Sequence, residues 1–198
     1  MSTSDAKEQL QALKAERKEQ ESNASWTFMA VITSRAIRKQ LFLLCALHIG
    51  QQLSGINAVF YYSTATFQKV GMTLQQSQNA SIGAAGLNVL FALVAIPLVA
   101  KFTQRALLLF SAIASAAMLI VFTISVTMND SAPWAAYVTI ATMLLYVCVY
   151  GVGLGPLPYM IGATLFDSGP RSIAMSLGCL SNWSFNFMVS GLVDCVLN

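Results

Sequence analysis

Uncharged amide side chains are concentrated in one apolar stretch of this sequence. Gln51, Gln52 and Asn57 lie within seven residues, and Gly50 and Gly55 stand among them. A straight helix turns by about 100° per residue, so these amides would point in three directions. Glycine permits a bend or local unwinding, and an interrupted helix would turn all three amides toward one cavity. The alternative is that the amides only hydrogen-bond to neighbouring helices. A single amide would favour that alternative, whereas three amides with two glycines favour the cavity.

Two later apolar stretches carry further amides. Asn88 is the single amide of the first of them, whereas Asn182, Trp183 and Asn186 occur together near the end of the chain. Asn182 and Asn186 are four residues apart, so they share one helical face. An amide both donates and accepts hydrogen bonds, and an aromatic ring packs against the apolar face of a sugar ring. These residue types predict a site for a neutral, polyhydroxylated ligand, with Asn186 as a weaker candidate than the others.

A run of glycine and proline occupies residues 151–159. Pro156 and Pro158 lack backbone donors and break a helix. A phosphate-binding loop is not indicated, because no strand precedes the glycines and no lysine follows them. We expect a hinge within a membrane helix, and a static kink is the alternative.

Enzymatic and cofactor chemistry is not predicted. His48 is the only histidine, and no acid is placed near it in sequence; Cys45, three residues before it, lies in the same apolar stretch. Nucleic-acid binding is also not expected, because no basic patch is interleaved with aromatic residues. The cysteines lack metal-ligand spacing and are interpreted as small packing residues. They are Cys45, Cys148, Cys179 and Cys195.

The elements that position these residues are membrane helices. Apolar residues make up 56% of the chain and charged residues only 10%, far below the roughly 25% of soluble domains. Five stretches reach the roughly 20 apolar residues that span a bilayer, and backbone groups in lipid must be satisfied within a helix. We therefore predict an all-α membrane protein with a charged cytoplasmic helical segment at residues 1–36 and a transmembrane bundle at residues 37–198. The predicted spans are residues 41–67, 80–100, 106–128, 134–166 and 173–193.

The orientation of the chain follows from its basic residues. With five alternating spans, ten of the eleven lysine and arginine residues fall on one side, and only Lys69 falls on the other. Cytoplasmic loops are enriched in lysine and arginine. The sequence therefore predicts a cytoplasmic amino terminus and a carboxyl terminus on the opposite face.

The motifs resemble the sugar porter branch of the major facilitator superfamily, and in particular the carboxyl-terminal half of facilitative hexose transporters. Residues 51–62 (QQLSGINAVFYY) are similar to the seventh-helix motif of that family, and residues 155–158 (GPLP) to its tenth-helix motif. Leu165-Phe166, residues 169–171 (GPR) and residues 181–183 (SNW) resemble its tenth-to-eleventh helix stretch. The resemblance implies five helices that correspond to helices seven to eleven of a twelve-helix fold.

Site residues are also implied by this resemblance. The hexose contacts of the family correspond to Gln51, Gln52, Asn57, Asn88, Asn182 and Trp183. Outer-gate aromatics correspond to Tyr61 and Tyr62, and the inner gate involves arginines. With the proline hinge, the predicted gating residues are Tyr61, Tyr62, Pro156, Pro158, Arg105 and Arg171.

Several positions depart from the family pattern. Gly151 and Thr164 replace acids, Tyr159 replaces a tryptophan, and the loop at residues 101–105 keeps one of two arginines. Residues 48–50 (HIG) replace the Gln-Leu-Ser that is frequent in members favouring glucose over fructose, so strict glucose selectivity is not expected.

The implied function is hexose transport at the plasma membrane, with a hexose and the bilayer as partners and no cofactor. Passive and proton-coupled mechanisms both remain open. The chain matches only half of the family's architecture, so the missing amino-terminal half or a full-length transporter is an expected partner. The alternative is a truncated, non-transporting membrane protein that binds sugar weakly or modulates a full-length transporter.

Overall fold

The computed structural model describes residues 26–128 and 134–197, and within these ranges the chain folds into helices with no strand. The predicted charged helix therefore lies largely outside the described residues. The helices are α1 (Phe28–Thr33), α2 (Arg38–Leu53), α3 (Ile56–Lys69), α4 (Leu74–Lys101), α5 (Gln104–Thr127), α6 (Trp134–Val152), α7 (Leu157–Leu165) and α8 (Ser168–Leu197). Helix α3 continues α2, and α7 continues α6, each after a short interruption.

The first long apolar stretch is interrupted where its glycines predict. Helix α2 ends at Leu53 and α3 begins at Ile56. Between them, Gly55 has a φ of 81°, a left-handed conformation that glycine adopts without the clash that a Cβ atom would cause. Gln51 and Gln52 thus lie in the last turn of α2, and Asn57 lies in the first turn of α3. The predicted interruption is confirmed.

The glycine and proline run interrupts the fourth stretch. Helix α6 ends at Val152 and α7 begins at Leu157, with Pro158 in its first turn, where a missing backbone donor is harmless. Ser111 of α5 secures the interruption: its hydroxyl donates to the Val149 carbonyl at 2.9 Å and accepts from the Leu154 amide at 3.0 Å. The break between α6 and α7 is confirmed, whereas its movement as a hinge remains a prediction.

Glycines allow the helices to approach closely on both sides of this break. A Cβ atom on Gly153 would lie 2.9 Å from the Leu107 carbonyl oxygen of α5. On α7 and α8, Cβ atoms on Gly162 and Gly178 would lie 2.6 Å and 3.0 Å from side-chain carbons of Leu44. Helix α2 is therefore held tightly against α7 and α8, and α5 against the start of the interruption.

The short helix α1 packs on the bundle. Val31 of α1 is fully buried together with Leu44, Phe166 and Ala174, which belong to α2, the α7–α8 connection and α8. Burial of these apolar side chains fixes α1 against α2, the α7–α8 connection and α8. The predicted domain boundary at residue 36 remains a prediction, since residues 1–25 lie outside the described chain.

Four helical segments of the described chain are long and apolar enough to cross a membrane. They are Arg38–Lys69, Leu74–Lys101, Gln104–Thr127 and Trp134–Leu165, where the first and last contain the interruptions. The fifth predicted span, residues 173–193, lies within the 30-residue helix α8 but is not among them. Asparagines, serines and glycines punctuate that helix and lower its hydropathy. The prediction of five spans is thus supported for four, and the crossing of α8 remains a prediction.

Candidate functional site

Four amide side chains form a continuous hydrogen-bond network between the broken first span and α8. The Asn57 amide donates to Gln52 Oε1 at 2.7 Å, and the Gln52 amide donates to Asn182 Oδ1 at 2.6 Å. The Asn182 amide then donates to Gln51 Oε1 at 2.7 Å. We call Asn57, Gln52, Asn182 and Gln51 the amide network. It joins the last turn of α2, the first turn of α3 and the middle of α8.

The network ends on the break in the fourth span. Gln51 Nε2 donates to the backbone carbonyl oxygens of Leu154 and Gly155, at 2.9 Å and 2.8 Å. A carbonyl only accepts, so these two contacts fix which end of the Gln51 amide is the donor. Its oxygen must then face Asn182, and each following amide is oriented in turn. The break between α6 and α7 therefore sets the direction of every hydrogen bond in the network.

Three members of the amide network are removed from solvent. The exposed fractions are 5% for Gln51, 6% for Gln52 and 2% for Asn182, whereas Asn57 is half-buried. Buried amides are tolerated because each one has partners. Such a satisfied network holds its members in one arrangement, with Asn57 at its more accessible end.

The network borders a cavity of about 210 Å³. All six residues that the sequence predicts as ligand contacts line this cavity, so the structure brings together groups from α2, α3, α4 and α8. The six are Gln51, Gln52, Asn57, Asn88, Asn182 and Trp183. Asn186, the weaker candidate, is buried one turn further along α8 but does not line the cavity.

Four further residues complete the wall and were not predicted as contacts. Ile56 and Phe60 lie four apart on α3, on the face that also carries Asn57, so helical spacing from Asn57 would have suggested them. Tyr150 directly precedes the glycine run, and Tyr159 follows the prolines. No charged side chain is among the residues that line this cavity. The wall of amides and aromatic rings suits a neutral ligand with several hydroxyl groups.

His48 contacts Asn182 of the amide network, and the sequence did not suggest this contact. The sequence shows no partner near it, but the fold places its ring Nδ1 3.2 Å from Asn182 Nδ2. The ring is fully buried and meets the Tyr159 ring edge to face, with 4.6 Å between centroids. Its partner is 134 positions away in sequence, and only the packing of α2 on α8 reveals it.

The predicted gating residues lie away from the cavity or at its edge. Tyr61 is exposed, and Tyr62 lines a separate cavity of about 290 Å³ between α3, α5, α6 and α8. Arg105 is exposed in the first turn of α5. The Arg171 guanidinium donates to the Phe166 carbonyl at 3.0 Å. The gating roles of these residues remain predictions, as do those of the two prolines in the break.

Comparison with known proteins places this chain in a family. A family model described as "Sugar (and other) transporter" matches residues 1–198, the whole chain. The chain belongs to the sugar transporter family. Facilitated glucose transporter member 1 of Gallus gallus is 37% identical over 187 residues, which cover 94% of this chain and 38% of the relative. Member 3 of Canis lupus familiaris is 36% identical over 94% of this chain and 37% of the relative.

Solved structures agree on the fold of this sugar transporter family member. The proton:xylose symporter XylE of the major facilitator superfamily, solved with 6-bromo-6-deoxy-D-glucose, superimposes with a TM-score of 0.70. It is 23% identical, and the match covers 85% of this chain and 35% of that protein. The chain thus has the fold of part of a major facilitator protein. It spans less than two fifths of the length of the two glucose transporter relatives described above.

Proposed function

We propose that this chain supplies the sugar-binding part of a transporter that moves hexoses, glucose or a related sugar, by facilitated diffusion. The observation that carries the proposal is the cavity, where all six predicted contacts meet. Family membership supports it, as do the two glucose transporter relatives, which are both named facilitated glucose transporters. The chain corresponds to helices seven to eleven of a twelve-helix fold, and the remaining helices supply the other wall of the sugar site.

The chemistry of the cavity fits a pyranose ring. Gln52 and Asn57 each have a donor hydrogen beyond those used in the network, and amide oxygens accept more than one hydrogen bond. Asn88 of α4 takes no part in the network and adds a third amide on the opposite wall. Trp183, which is 65% exposed, offers a flat apolar surface for a ring face. Hydroxyls and ring face would thus be met from different helices.

Sugar uptake tests this proposal directly. The chain is completed with the spans that it lacks, from its own gene or from the chicken relative, and we call this protein the assembled transporter. In cells without endogenous hexose uptake, the assembled transporter should accumulate labelled glucose until inside and outside concentrations are equal. Accumulation above the outside concentration that requires a proton gradient would replace facilitated diffusion by proton coupling. No uptake at normal surface abundance would refute the transport function.

A second candidate function is a non-transporting protein that binds sugar weakly or modulates a full-length transporter. The chain spans less than two fifths of the length of the two glucose transporter relatives, and this candidate applies if the 198 residues act without the remaining helices. Co-expression of the 198-residue chain with a full-length relative distinguishes the two. A changed uptake rate by the relative, together with co-purification of the two proteins, would support modulation. An unchanged rate would leave transport by the assembled protein as the function.

We also propose a plasma-membrane location with a cytoplasmic amino terminus. Support comes from the ten basic residues on one side and from four helices of membrane-spanning length. If α8 is a fifth span, reporter tags at the two ends should report opposite faces. Tags on the same face would show that one of the five predicted spans, α8 or another, does not cross the membrane.

A further inference from the structure

His48 is a buried histidine for which the proposed transport chemistry has no use. It lies in α2, is 0% exposed, and its Nε2 atom has no hydrogen-bond partner within the described residues. Its other ring nitrogen, Nδ1, lies 3.2 Å from Asn182 Nδ2, and its own carbonyl oxygen lies 3.3 Å from the same nitrogen. Because this polar ring is buried beside a predicted binding residue, the question is which of its two nitrogens carries the proton.

The direction of the amide network answers this question. Asn182 Oδ1 accepts from Gln52, and Asn182 Nδ2 donates to Gln51 Oε1, whose orientation is set by two backbone carbonyls. Asn182 therefore turns its donor toward His48. One amide hydrogen goes to Gln51 and the other is shared between His48 Nδ1 and the His48 carbonyl. His48 Nδ1 can take this hydrogen only as an unprotonated nitrogen, and a neutral ring then holds its proton on Nε2.

A proton on His48 Nδ1 would oppose this arrangement. The Nδ1–H group would face the Asn182 N–H group, donor against donor. If the Asn182 amide turned over to present its oxygen, its nitrogen would face the Gln52 amide and its contact with Gln51 Oε1 would also be lost. The first arrangement keeps the amide network but leaves the His48 carbonyl as the sole acceptor of that Asn182 hydrogen, whereas the second breaks two bonds of the network. Protonation of His48 Nδ1 therefore opposes the observed orientation of Asn182.

The packing around His48 gives the ring no room to avoid this conflict. A Cβ atom on Gly178 of α8 would lie 2.8 Å from His48 Cδ2, and Tyr159 of α7 packs against the ring. The titratable side chain in contact with the ring is Tyr159 of α7. Cys179 is next to Gly178 on α8, and Cys45 lies three residues before His48 on α2. Among the described residues, no charged side chain pairs with the ring, so no acid there balances a proton on it.

We infer that His48 is a positioning residue that holds Asn182 in its sugar-binding orientation only as the neutral ring, so that acidification weakens sugar binding. The inference rests on the proposed function, because it concerns the affinity of the same cavity. A neutral hydrogen bond contributes about 0.5–1.5 kcal/mol, which corresponds to a change in affinity of roughly two- to tenfold. Sugar affinity should fall by that factor when His48 is protonated.

Two substitutions separate positioning from simple packing. His48→Gln keeps a side-chain acceptor but does not titrate, and His48→Phe keeps a flat ring without an acceptor. Glucose binding to the purified assembled transporter in nanodiscs is measured from about pH 7.5 to about pH 4, a range that extends below the one in which an exposed histidine titrates, because this ring is buried without a balancing charge. We expect the affinity of the unsubstituted protein to fall with acidification. His48→Gln should bind as tightly as the unsubstituted protein at the higher pH and keep its affinity on acidification, and His48→Phe should bind weakly throughout.

The outcomes are distinct for this inference and for the proposed function. Sugar binding without pH dependence, or with the same dependence in His48→Gln, would overturn the role of His48 and leave the sugar site in place. Absence of binding at every pH would overturn both. If His48→Phe does not fold, the pH profile of His48→Gln still decides. Nitrogen NMR of the 198-residue chain, in which His48 is the single histidine, should show a neutral ring protonated on Nε2. A proton on Nδ1 would refute the inference.

Discussion

The Tyr146 hydroxyl donates a 2.9 Å hydrogen bond to the backbone carbonyl oxygen of Ser54. This contact joins the regular part of α6 to the interruption between α2 and α3. Carbonyls at a helix interruption lose intrahelical donors, and in lipid no water replaces them. Tyr146 is only 1% exposed and packs with Ile56 and Val147, so the interruption in one span is stabilised by a fully buried side chain of another.

Removal of this hydroxyl should destabilise the bundle. Tyr146→Phe keeps the ring but leaves the Ser54 carbonyl without this donor, and we expect a loss of about 0.5–1.5 kcal/mol in unfolding free energy. Thermal unfolding in detergent measures it. Tyr137→Phe is the matched control, because Tyr137 lies on the same helix and is 77% exposed. Equal melting of the two variants would mean that the Tyr146 contact adds nothing to stability.

The amide network should strengthen sugar uptake. In the assembled transporter, Gln51→Ala or Asn182→Ala should weaken uptake several-fold, since one lost neutral hydrogen bond is worth about 0.5–1.5 kcal/mol. The double variant should lose less than the sum, because the two residues share a hydrogen bond. Gln68→Ala, at the exposed end of α3, is the control. Unchanged uptake at normal surface abundance would show that these amides contribute to helix packing and not to sugar binding.

The glycine at the start of the second interruption should not tolerate a side chain. In Gly153→Ala, the new methyl group would lie 2.9 Å from both the Leu107 carbonyl oxygen and the Ser111 hydroxyl, so α5 must move away. We expect lower thermal stability and weaker sugar binding. Gly86→Ala is the control: it lies on α4 with nothing within 4 Å of the new Cβ atom, and alanine favours helix. Equal behaviour of both variants would contradict close packing of α5 at Gly153.

The helix ends that we propose to be cytoplasmic provide a test of gating. Thr164 is exposed, its hydroxyl bonds only to its own helix, and Arg171 and Arg105 are the predicted gate cations. Thr164→Glu should attract one of them and favour the outward-open state. Surface ion pairs contribute about 0–1 kcal/mol, enough to shift a balanced equilibrium several-fold. Accessibility of a cysteine on the cytoplasmic side of the cavity should fall, whereas Thr164→Gln should not change it. An equal change of cysteine accessibility in Thr164→Glu and Thr164→Gln would show that charge is not the cause.

The positions of the two interruptions were predictable because they depend on local chemistry. Gly55 adopts a backbone conformation that suits glycine, and the prolines after Gly155 cannot continue α6. The clustering of the six predicted contact residues at one cavity was expected from the same reasoning together with the family resemblance. In these places a residue type determines a backbone conformation within a few positions of itself.

Other features depend on contacts that local sequence does not contain. Helix α4 begins at Leu74, before the predicted start at residue 80, because Thr73 and Gln76 form a capping box that extends the helix through polar residues. The role of His48 depends on Asn182, and the direction of the amide network depends on carbonyls exposed by a distant break. Such relationships arise from packing between helices, which spacing along the chain does not encode.

The amide network has a thermodynamic consequence for turnover. In the structure, both hydrogens of Gln51 Nε2 and both hydrogens of Asn182 Nδ2 are already engaged. A sugar hydroxyl that seeks a donor from either residue must therefore displace an internal bond, and the entry of substrate becomes an exchange with little net enthalpy. For the proposed transporter, this exchange limits the affinity that Gln51 and Asn182 add, and a weakly bound sugar would leave the cavity faster than a tightly bound one.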